Sequence, residues 1–478
     1  MDLGFIDREA GRILGLIALL AGKVDPDAIK KMHPELAELL ARRPDGTTAR
    51  ILHLPDLVDM QRLQTEVVAA LAGSNASVCT AIAHAAQVQS LDEVDRQLLQ
   101  GSAIVCADGA AFAVRLPSVP TRATQEPSTE RAVFGPKDSF VEPLDQNIAL
   151  IRSHLRDPRL VAERITLGTD APTQVAVLYR EGSADATQLD EIIARLESYR
   201  PPRVGFVSSL LRPLFGPIWT VFLPADFTER PYRAADFLFR GRFVILVDGS
   251  PYAMVLPVQF IEYFLDEEEY LQSTATRYFV RGLRFLGFFI ALLGPGLYVA
   301  ILSVNTTVLP GLLAVAVSSN RQSLAFPILT ETILMLIVLD IMAEATTAMK
   351  GVLGPAISIV GSLIVGQAAV RANLASNLGV ILLALTALAT FLSPRFQQTY
   401  VVRVWKYLFL LVSSVFGLVG WSACTIWLMI NLSARRELGT SFLAPLAPLL
   451  PAAWDSRSPL QTSVQRVPAP IQQAGRRR

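Results

Sequence analysis

Between Leu283 and Asn431 apolar stretches follow one another with little polar chain between them, yet three carboxylates, Glu331, Asp340 and Glu344, stand inside or at the end of one stretch. Apolar runs of about 20 residues match the length that a helix needs to cross a bilayer. A carboxylate among them is expensive in lipid, so it faces a protein interior or a water-filled path. This part of the chain is therefore expected to be an all-α multispan transmembrane domain that does more than anchor. Six segments can be marked, 285–304, 309–317, 327–343, 355–370, 378–392 and 404–431. The second is too short to span and is expected to be re-entrant or interfacial. Gly294-Pro295-Gly296 is expected to kink the first. Arg277, Arg281 and Arg284 precede the first span, and Arg435, Arg436 and Arg476 to Arg478 follow the last. That distribution places both termini in the cytoplasm and requires an even number of crossings. Five segments are long enough, so one is misread. Because 327–343 carries two interior acids, four crossings are preferred, with six as the alternative.

Charge divides the chain at the same place. Residues 1–284 hold 30 Lys+Arg and 37 Asp+Glu, a net of −7, while the rest hold 13 and 5, a net of +8. An acidic α/β region long enough for two soluble domains precedes a basic membrane region. Three cysteines, Cys79, Cys106 and Cys424, make no disulfide framework and indicate a reducing side for the soluble part. The four histidines stand in no metal-binding spacing, so neither a metal nor a cofactor is expected. No nucleophile elbow, Walker loop or dinucleotide fingerprint occurs, which argues against an enzyme, and the acidic balance argues against nucleic acid. The apolar run at 13–22 is short and follows Asp2, Asp7 and Glu9. It reads as a buried helix and not as a signal peptide.

The soluble part contains a repeat. Residues 101–117, GSAIVCADGAAFAVRLP, match residues 241–257, GRFVILVDGSPYAMVLP, at a constant offset of 140. Each copy is an apolar run, an Asp-Gly turn and a second apolar run, the pattern of a β-hairpin, and each follows a helical segment. Asp108 and Asp248 read as turn residues and not as catalysts. A Pro-rich link, 117–137, separates two α/β subdomains, expected at 1–120 and 121–275, with the membrane domain at 276–440 and a disordered basic tail at 441–478. After the link, Ser139 and Glu142 predict a capping box at the start of a helix carrying Leu144, Ile148, Ile151 and Leu155. Strands are expected over 161–166 and 174–179, and an amphipathic helix over 188–199.

In the membrane part, Glu331 and Asp340 are nine residues apart, so a helix puts them on nearly opposite faces, whereas Asp340 and Glu344, four apart, share one. Either these acids are solvated at a membrane boundary, or Asp340 and Glu344 face an ion path or a partner subunit. Ser358, Ser362 and Gly366 recur at every fourth position, a small-residue stripe that lets helices approach closely. Gln367 lies half a turn away from Ser358 and is a candidate for a pore or partner contact.

The segment FGPKDSFVEPLDQNIALIRSHLRDPRL, 134–160, resembles a signature of the A subunit of bacterial spore germination receptors, the GerA family. The matching positions are Gly135, Pro136, Phe140, Glu142, Asn147, Arg152, Asp157 and Pro158, with Asp248-Gly249 downstream. The resemblance continues in Arg122, Glu126-Pro127, Glu130, Thr228 to Pro231, Gly241-Arg242, Arg281, Leu283 to Phe285, Tyr298 to Ala300, AISIVGSLIVGQAAV and FLAPLAP. It covers roughly residues 90–450. It departs from the usual pattern at Leu336, Asp340, Ala343 and 348–350, and across 200–227. The resemblance implies two cytoplasmic α/β subdomains ahead of a multispan domain in the spore inner membrane. It also implies a permease-like B subunit and a lipoprotein C subunit as partners, and self-assembly of the A subunit into a nutrient-gated ion channel. A non-conducting assembly scaffold and a stand-alone transporter are the alternatives. A transporter should show internal repeats in its membrane part, and none is visible.

Overall fold

The computed structural model describes residues 26–32, 35–74, 77–82, 84–88, 90–107, 109–116, 136–216, 222–266, 273–348, 361, 364–392 and 395–444. They form two compact units, one drawn from Met1–Gly216 with Ala225–Pro257, the other from Pro217–Pro224 with Val258–Asp455. The apolar run at 13–22, the Pro-rich link up to Gly135, Asp108, Ser358, Ser362 and the basic tail after Ala444 lie outside the described residues, whereas Ser441–Ala444, expected to open the disordered tail, are folded with Phe442 buried.

The repeat seen in the sequence becomes two separate antiparallel sheets of identical topology. Strands β1 (Ala37–Arg42), β2 (Thr48–His53), β3 (Ala86–Val88), β4 (Ser102–Ala107) and β5 (Ala110–Arg115) are ordered β1-β2-β4-β5-β3. Strands β6 (Leu160–Leu167), β7 (Thr173–Arg180), β8 (Asp226–Thr228), β9 (Phe243–Val247) and β10 (Ala253–Leu256) are ordered β6-β7-β9-β10-β8. The repeated hairpins are β4–β5 and β9–β10, and β3 and β8 extend the correspondence at the same offset. Helix α1 (Leu91–Leu99) precedes β4, as α4 (Pro231–Phe239) precedes β9; helices α2 (Leu144–His154) and α3 (Ala186–Ser198) belong to the second copy. Gly101 and Gly241, with φ +77° and +79°, close helices α1 and α4. At Gly241 a Cβ would lie 2.5 Å from the Ser183 carbonyl oxygen, so only glycine fits. Every residue of β9, FVILV, is buried, as expected of a central strand covered on both faces. The strands expected over 161–166 and 174–179 fall within β6 and β7, and the helix expected over 188–199 matches α3 except at Tyr199, its extended C-cap.

The expected capping box does not form. Helix α2 starts at Leu144 with Pro143 at its N-cap and no side-chain cap from its own segment. The Leu144 amide is met instead by Asp248 Oδ1 at 3.0 Å, from the β9–β10 turn. A tertiary acceptor has replaced a local one.

The second unit is a helical bundle. Helix α5 (Thr274–Val299) runs into a π-type turn at Ala300–Val304 and is followed by α6 (Gly311–Arg321) and α7 (Ile328–Ala348). Residues 364–371 form α8, and Asn377–Phe391 form α9. The run Phe396–Ala434 is two helices divided at Gly417, whose φ of +58° and ψ of −141° are non-helical: α10 over 396–416 and α11 over 418–434. A Cβ at Gly417 would sit 2.1 Å from Asn305 Oδ1, and that same oxygen accepts from the Leu418 amide at 2.8 Å, starting α11.

Contacts along α5 show the chain reversing at Gly417. Gln398 and Val402 lie beside Arg284, Phe288 and Ala291; Phe409 and Ser413 lie against Gly296; Gly417 meets Val304 and Asn305. The chain then descends, with Trp421 Nε1 donating to the Leu293 carbonyl at 3.1 Å and Arg435 donating to the Phe222 carbonyl at 2.7 Å. Tyr298 lies beside Ser376, and Gly287 beside Ala389 and Leu392, so α9 runs antiparallel to α5. Helix α5 continues through Pro295, and a break in helical geometry that the sequence reading did not mark lies at Gly417.

Candidate functional site

Among the described residues of the bundle, two polar clusters are built on acids of α7. Glu331 is 1% exposed. Its Oε1 accepts from the Ser376 amide and hydroxyl, both at 2.7 Å, and its Oε2 from Arg321 at 3.1 Å. Ser376 is the N-cap of α9, its Oγ accepting from the Gly379 amide at 3.0 Å and lying 3.2 Å from the Tyr298 hydroxyl. Glu331 thus ties the end of α6 and the starts of α7 and α9 together. Gly379 makes this possible, because a Cβ there would stand 2.6 Å from Glu331 Oε1.

The second cluster faces α10. Asp340 Oδ1 accepts from Lys406 Nζ at 2.7 Å, Oδ2 accepts from the Tyr407 hydroxyl at 2.6 Å, and Arg403 Nε lies 3.9 Å away. Glu344 accepts from Arg403 at 2.8 Å. Asp340 and Glu344 share a face of α7, and Arg403, Lys406 and Tyr407 share a face of α10, so two polar stripes meet. Two acids oppose two bases, and the cluster is electrically neutral. Lys406 is buried and Glu344 is 61% exposed, so the cluster opens outward at Glu344.

The geometry separates Glu331 from Asp340, as their nine-residue spacing requires. Gln367 is exposed on α8, and among the described residues a Cβ at Gly366 would meet Val380 Cγ1, at 3.9 Å. The partners Arg321, Ser376, Arg403, Lys406 and Tyr407 were not singled out from the sequence, and Tyr298 was named only within the family resemblance. A signal existed: Arg403, Lys406 and Tyr407 interrupt an apolar run at helical spacing.

The motif around residues 136–158 is built into the fold of the second sheet. Asn147, fully buried, brackets Val141 by accepting from its amide at 2.8 Å and donating to its carbonyl at 2.6 Å. The Phe140 amide bonds the Glu229 carbonyl, the Gly249 amide bonds the Glu142 carbonyl, and Arg230 reaches the Pro136 carbonyl at 3.4 Å. Asp157 and Pro158 make the turn into β6, with Asp157 bonded to Arg159 and Arg180. Burial would raise the Asp157 carboxyl, but these bonds outweigh it and hold the group at about 2. Arg152 pairs with Glu35, whose other oxygen accepts from the Ala162 amide at 2.6 Å; Arg164 bridges Asp56 and Asp145. Burial pushes the Asp56 carboxyl up despite Arg164 and Arg152. These contacts join residues flanking the first sheet to α2 and β6 of the second.

A sequence profile of the Bacillus/Clostridium GerA spore germination proteins matches residues 28–476. The chain belongs to this family. Among GerA relatives, spore germination protein KA of Bacillus subtilis (strain 168) is 34% identical over 365 residues, 75% of this chain and 66% of that protein. Spore germination protein A1 of the same organism is 31% identical over 360 residues, 75% of each chain. Spore germination protein GerQA of Bacillus cereus is 28% identical over 466 residues, 93% of each. A solved structure, the N-terminal domain of the A subunit of the Bacillus megaterium spore germinant receptor GerK3, aligns with 49% of this chain and 93% of its own at a TM-score of 0.36 and 20% identity. At that score it adds nothing to the assignment. Within this GerA chain, helices over Thr274–Val304 and Gln398–Ala434 are long and apolar enough to cross a membrane.

Proposed function

We propose that this chain is the A subunit of a nutrient-responsive spore germination receptor, held in the spore inner membrane with both termini in the cytoplasm. In this reading α5, α7, the apolar segment 355–370 ending in α8, then α9, α10 and α11 cross the bilayer in turn, with four crossings as the alternative. Several copies assemble, together with a permease-like B subunit and a lipoprotein C subunit, and the assembly releases ions when nutrient is sensed. The observation that carries the reading is the family match, which runs through both sheets and the bundle. The exposed apolar belt supports it: Leu286, Ile341, Leu388, Val415, Val419 and Ile430 all face outward, where lipid or a neighbouring subunit would cover them.

A second reading, a non-conducting scaffold, draws support from the neutral cluster, since each acid of the Asp340–Glu344 pair already has a basic partner. An ion path past this pair would run at its exposed end, by Glu344. The test uses the whole receptor in potassium-loaded liposomes triggered by nutrient. Glu344→Gln, which leaves the Asp340–Lys406 contact in place, is expected to change the rate or cation preference of release. Release with unaltered rate and preference would favour the scaffold. No nutrient-dependent release from the wild type would remove the conducting role altogether.

A further inference from the structure

We propose that the two sheets of the first unit are held together by a charge latch of Glu35, Asp56, Arg152 and Arg164, and that its release lets them part while each stays folded. The inference concerns contacts inside that unit and does not depend on the membrane reading. Each sheet carries its own core. In the first, Ile51 packs with Val105 and Val114, and Leu52, on the opposite face, packs with Leu98 and Ile104. In the second, Ile151 packs with Leu178 and Leu246. None of these three clusters draws a residue from the other sheet.

Polar contacts join the sheets. The first supplies two carboxylates, Glu35 just before β1 and Asp56 just after β2. The second supplies Arg152 from α2, and Arg164 and the Ala162 amide from β6, its outermost strand. Glu35 is gripped by both oxygens: Arg152 Nη2 donates to one and the Ala162 amide to the other, at 2.6 Å. Asp56 Oδ1 accepts from Arg164 at 2.6 Å, and its Oδ2 lies 4.0 Å from Arg152 Nε. Arg164 also donates to Asp145, on α2 of its own sheet, at 2.7 Å. The second sheet thus presents a grip for a carboxylate, and Glu35 is its internal occupant.

Such a joint is close to balance. The Arg152 and Asp56 side chains are 3% and 6% exposed, so both charges have given up water. Arg152 Nε nevertheless has no hydrogen-bond partner among the described residues, and burial pushes the Asp56 carboxyl up in spite of both arginines. A buried ion network returns little more than its desolvation costs, and a partly satisfied one returns less. Opening would return these groups to water and leave the three apolar clusters whole. A shared apolar core would have welded the sheets; charge without such a core makes a joint that can be undone.

The test measures the distance between the sheets in the full chain in detergent. Cys79, Cys106 and Cys424 are replaced by alanine, and spin labels are placed at Gln64→Cys and Ala194→Cys, both exposed positions. Hydrogen exchange of the β4–β5 and β9–β10 hairpins reports whether each sheet stays folded. With the latch intact, one narrow distance distribution is expected. Glu35→Lys takes the acid from Arg152 and sets a like charge beside it. Losing one partner of a buried pair shifts an equilibrium by about a hundredfold or more, so a longer and broader population should appear while both hairpins stay protected. Glu35→Gln with Arg152→Met removes both charges and keeps an acceptor for the Ala162 amide, so the narrow distribution should return. A narrow distribution in Glu35→Lys would overturn the proposal. So would a broad one with the latch intact, or loss of hairpin protection in Glu35→Lys, which would show that the two sheets fold as one body.

Discussion

Replacing Asp340 by Asn should destabilise the helical unit, and the size of the loss follows from the cluster. Asp340 holds Lys406 at 2.7 Å and Tyr407 at 2.6 Å, and the Lys406 side chain is 6% exposed. Asn removes one negative charge from a set of two acids and two bases. Removing one partner of a buried pair costs about 3–5 kcal/mol, because the surviving charge stays desolvated. Asp340 is partly exposed, and Asn keeps an acceptor for Tyr407, so the lower end applies, about 3 kcal/mol. A unit of this size shifts by about 2–4 °C per kcal/mol, which predicts a fall of about 6–12 °C in thermal midpoint. Lys406→Met should cost a similar amount, since it strands Asp340. The double variant removes both charges and leaves a packed apolar side chain, so it should recover most of the loss. The assay is thermal unfolding of the purified chain in one detergent, with wild type, both singles and the double run together. Strict additivity of the two single losses would refute the pairing. Singles that leave stability unchanged would point instead to a solvated membrane boundary.

Gly379→Ala should dislodge Glu331, whose Oε1 would lie 2.6 Å from the new Cβ. Losing hydrogen bonds to a buried carboxylate costs about 2–3 kcal/mol, again read from the thermal midpoint. Asn305→Ala removes the acceptor for the Leu418 amide and should cost about 1 kcal/mol; Gly417→Ala, which collides with Asn305 and strains the backbone, should cost more in the same assay. Asp157 has a folded pKa of about 2, lowered against burial by Arg159 and Arg180, and its side chain is 13% exposed. Because that value lies below the unfolded one near 4, its stabilisation is complete above about pH 4 and is lost as pH falls towards 2. An acid unfolding series comparing wild type with Asp157→Asn should show a gap on the order of 2 kcal/mol at neutral pH that closes by about pH 2.

What the sequence made legible was the part written in local pattern. The 140-residue repeat, with its paired Asp-Gly turns, foretold the two matching hairpins, because a hairpin needs only alternation and a turn. The helix at 144–154 was also legible, but its cap was not. Ser139 and Glu142 have the spacing of a capping box, yet the chain between them and Leu144 is extended, and Asp248 arrives from 104 residues away to take the amide. Asp248 shows how a turn residue gains a second role that no window around it contains. The candidate acids were picked out by their cost in an apolar setting. Their partners lie 45 to 66 residues further on, at Ser376 and Lys406, and at Arg321 just upstream. Periodicity gives the face of a helix, while pairing between helices depends on how they are ordered in the bundle.

That order also brings the two ends of the bundle together. Phe264 meets both Phe285 and Phe288 near the start of α5, and Phe260 meets Phe442 just after α11. Basic residues at both ends of the apolar region led to the expectation of an even number of crossings, four preferred and six as the alternative. The segment 404–431 was read there as one unbroken helix. The helical run there is 39 residues, about 58 Å if unbroken and nearly twice the hydrocarbon thickness of a bilayer. Divided at Gly417, it becomes pieces of about 31 and 25 Å, each of a length suited to one passage. A glycine in mid-run carries little weight in a hydropathy reading, since it neither adds a charge nor interrupts the apolar character. Its role follows from its neighbour. Only a residue without a Cβ admits Asn305 at that point, and Asn305 in turn supplies the hydrogen bond with which the returning helix begins.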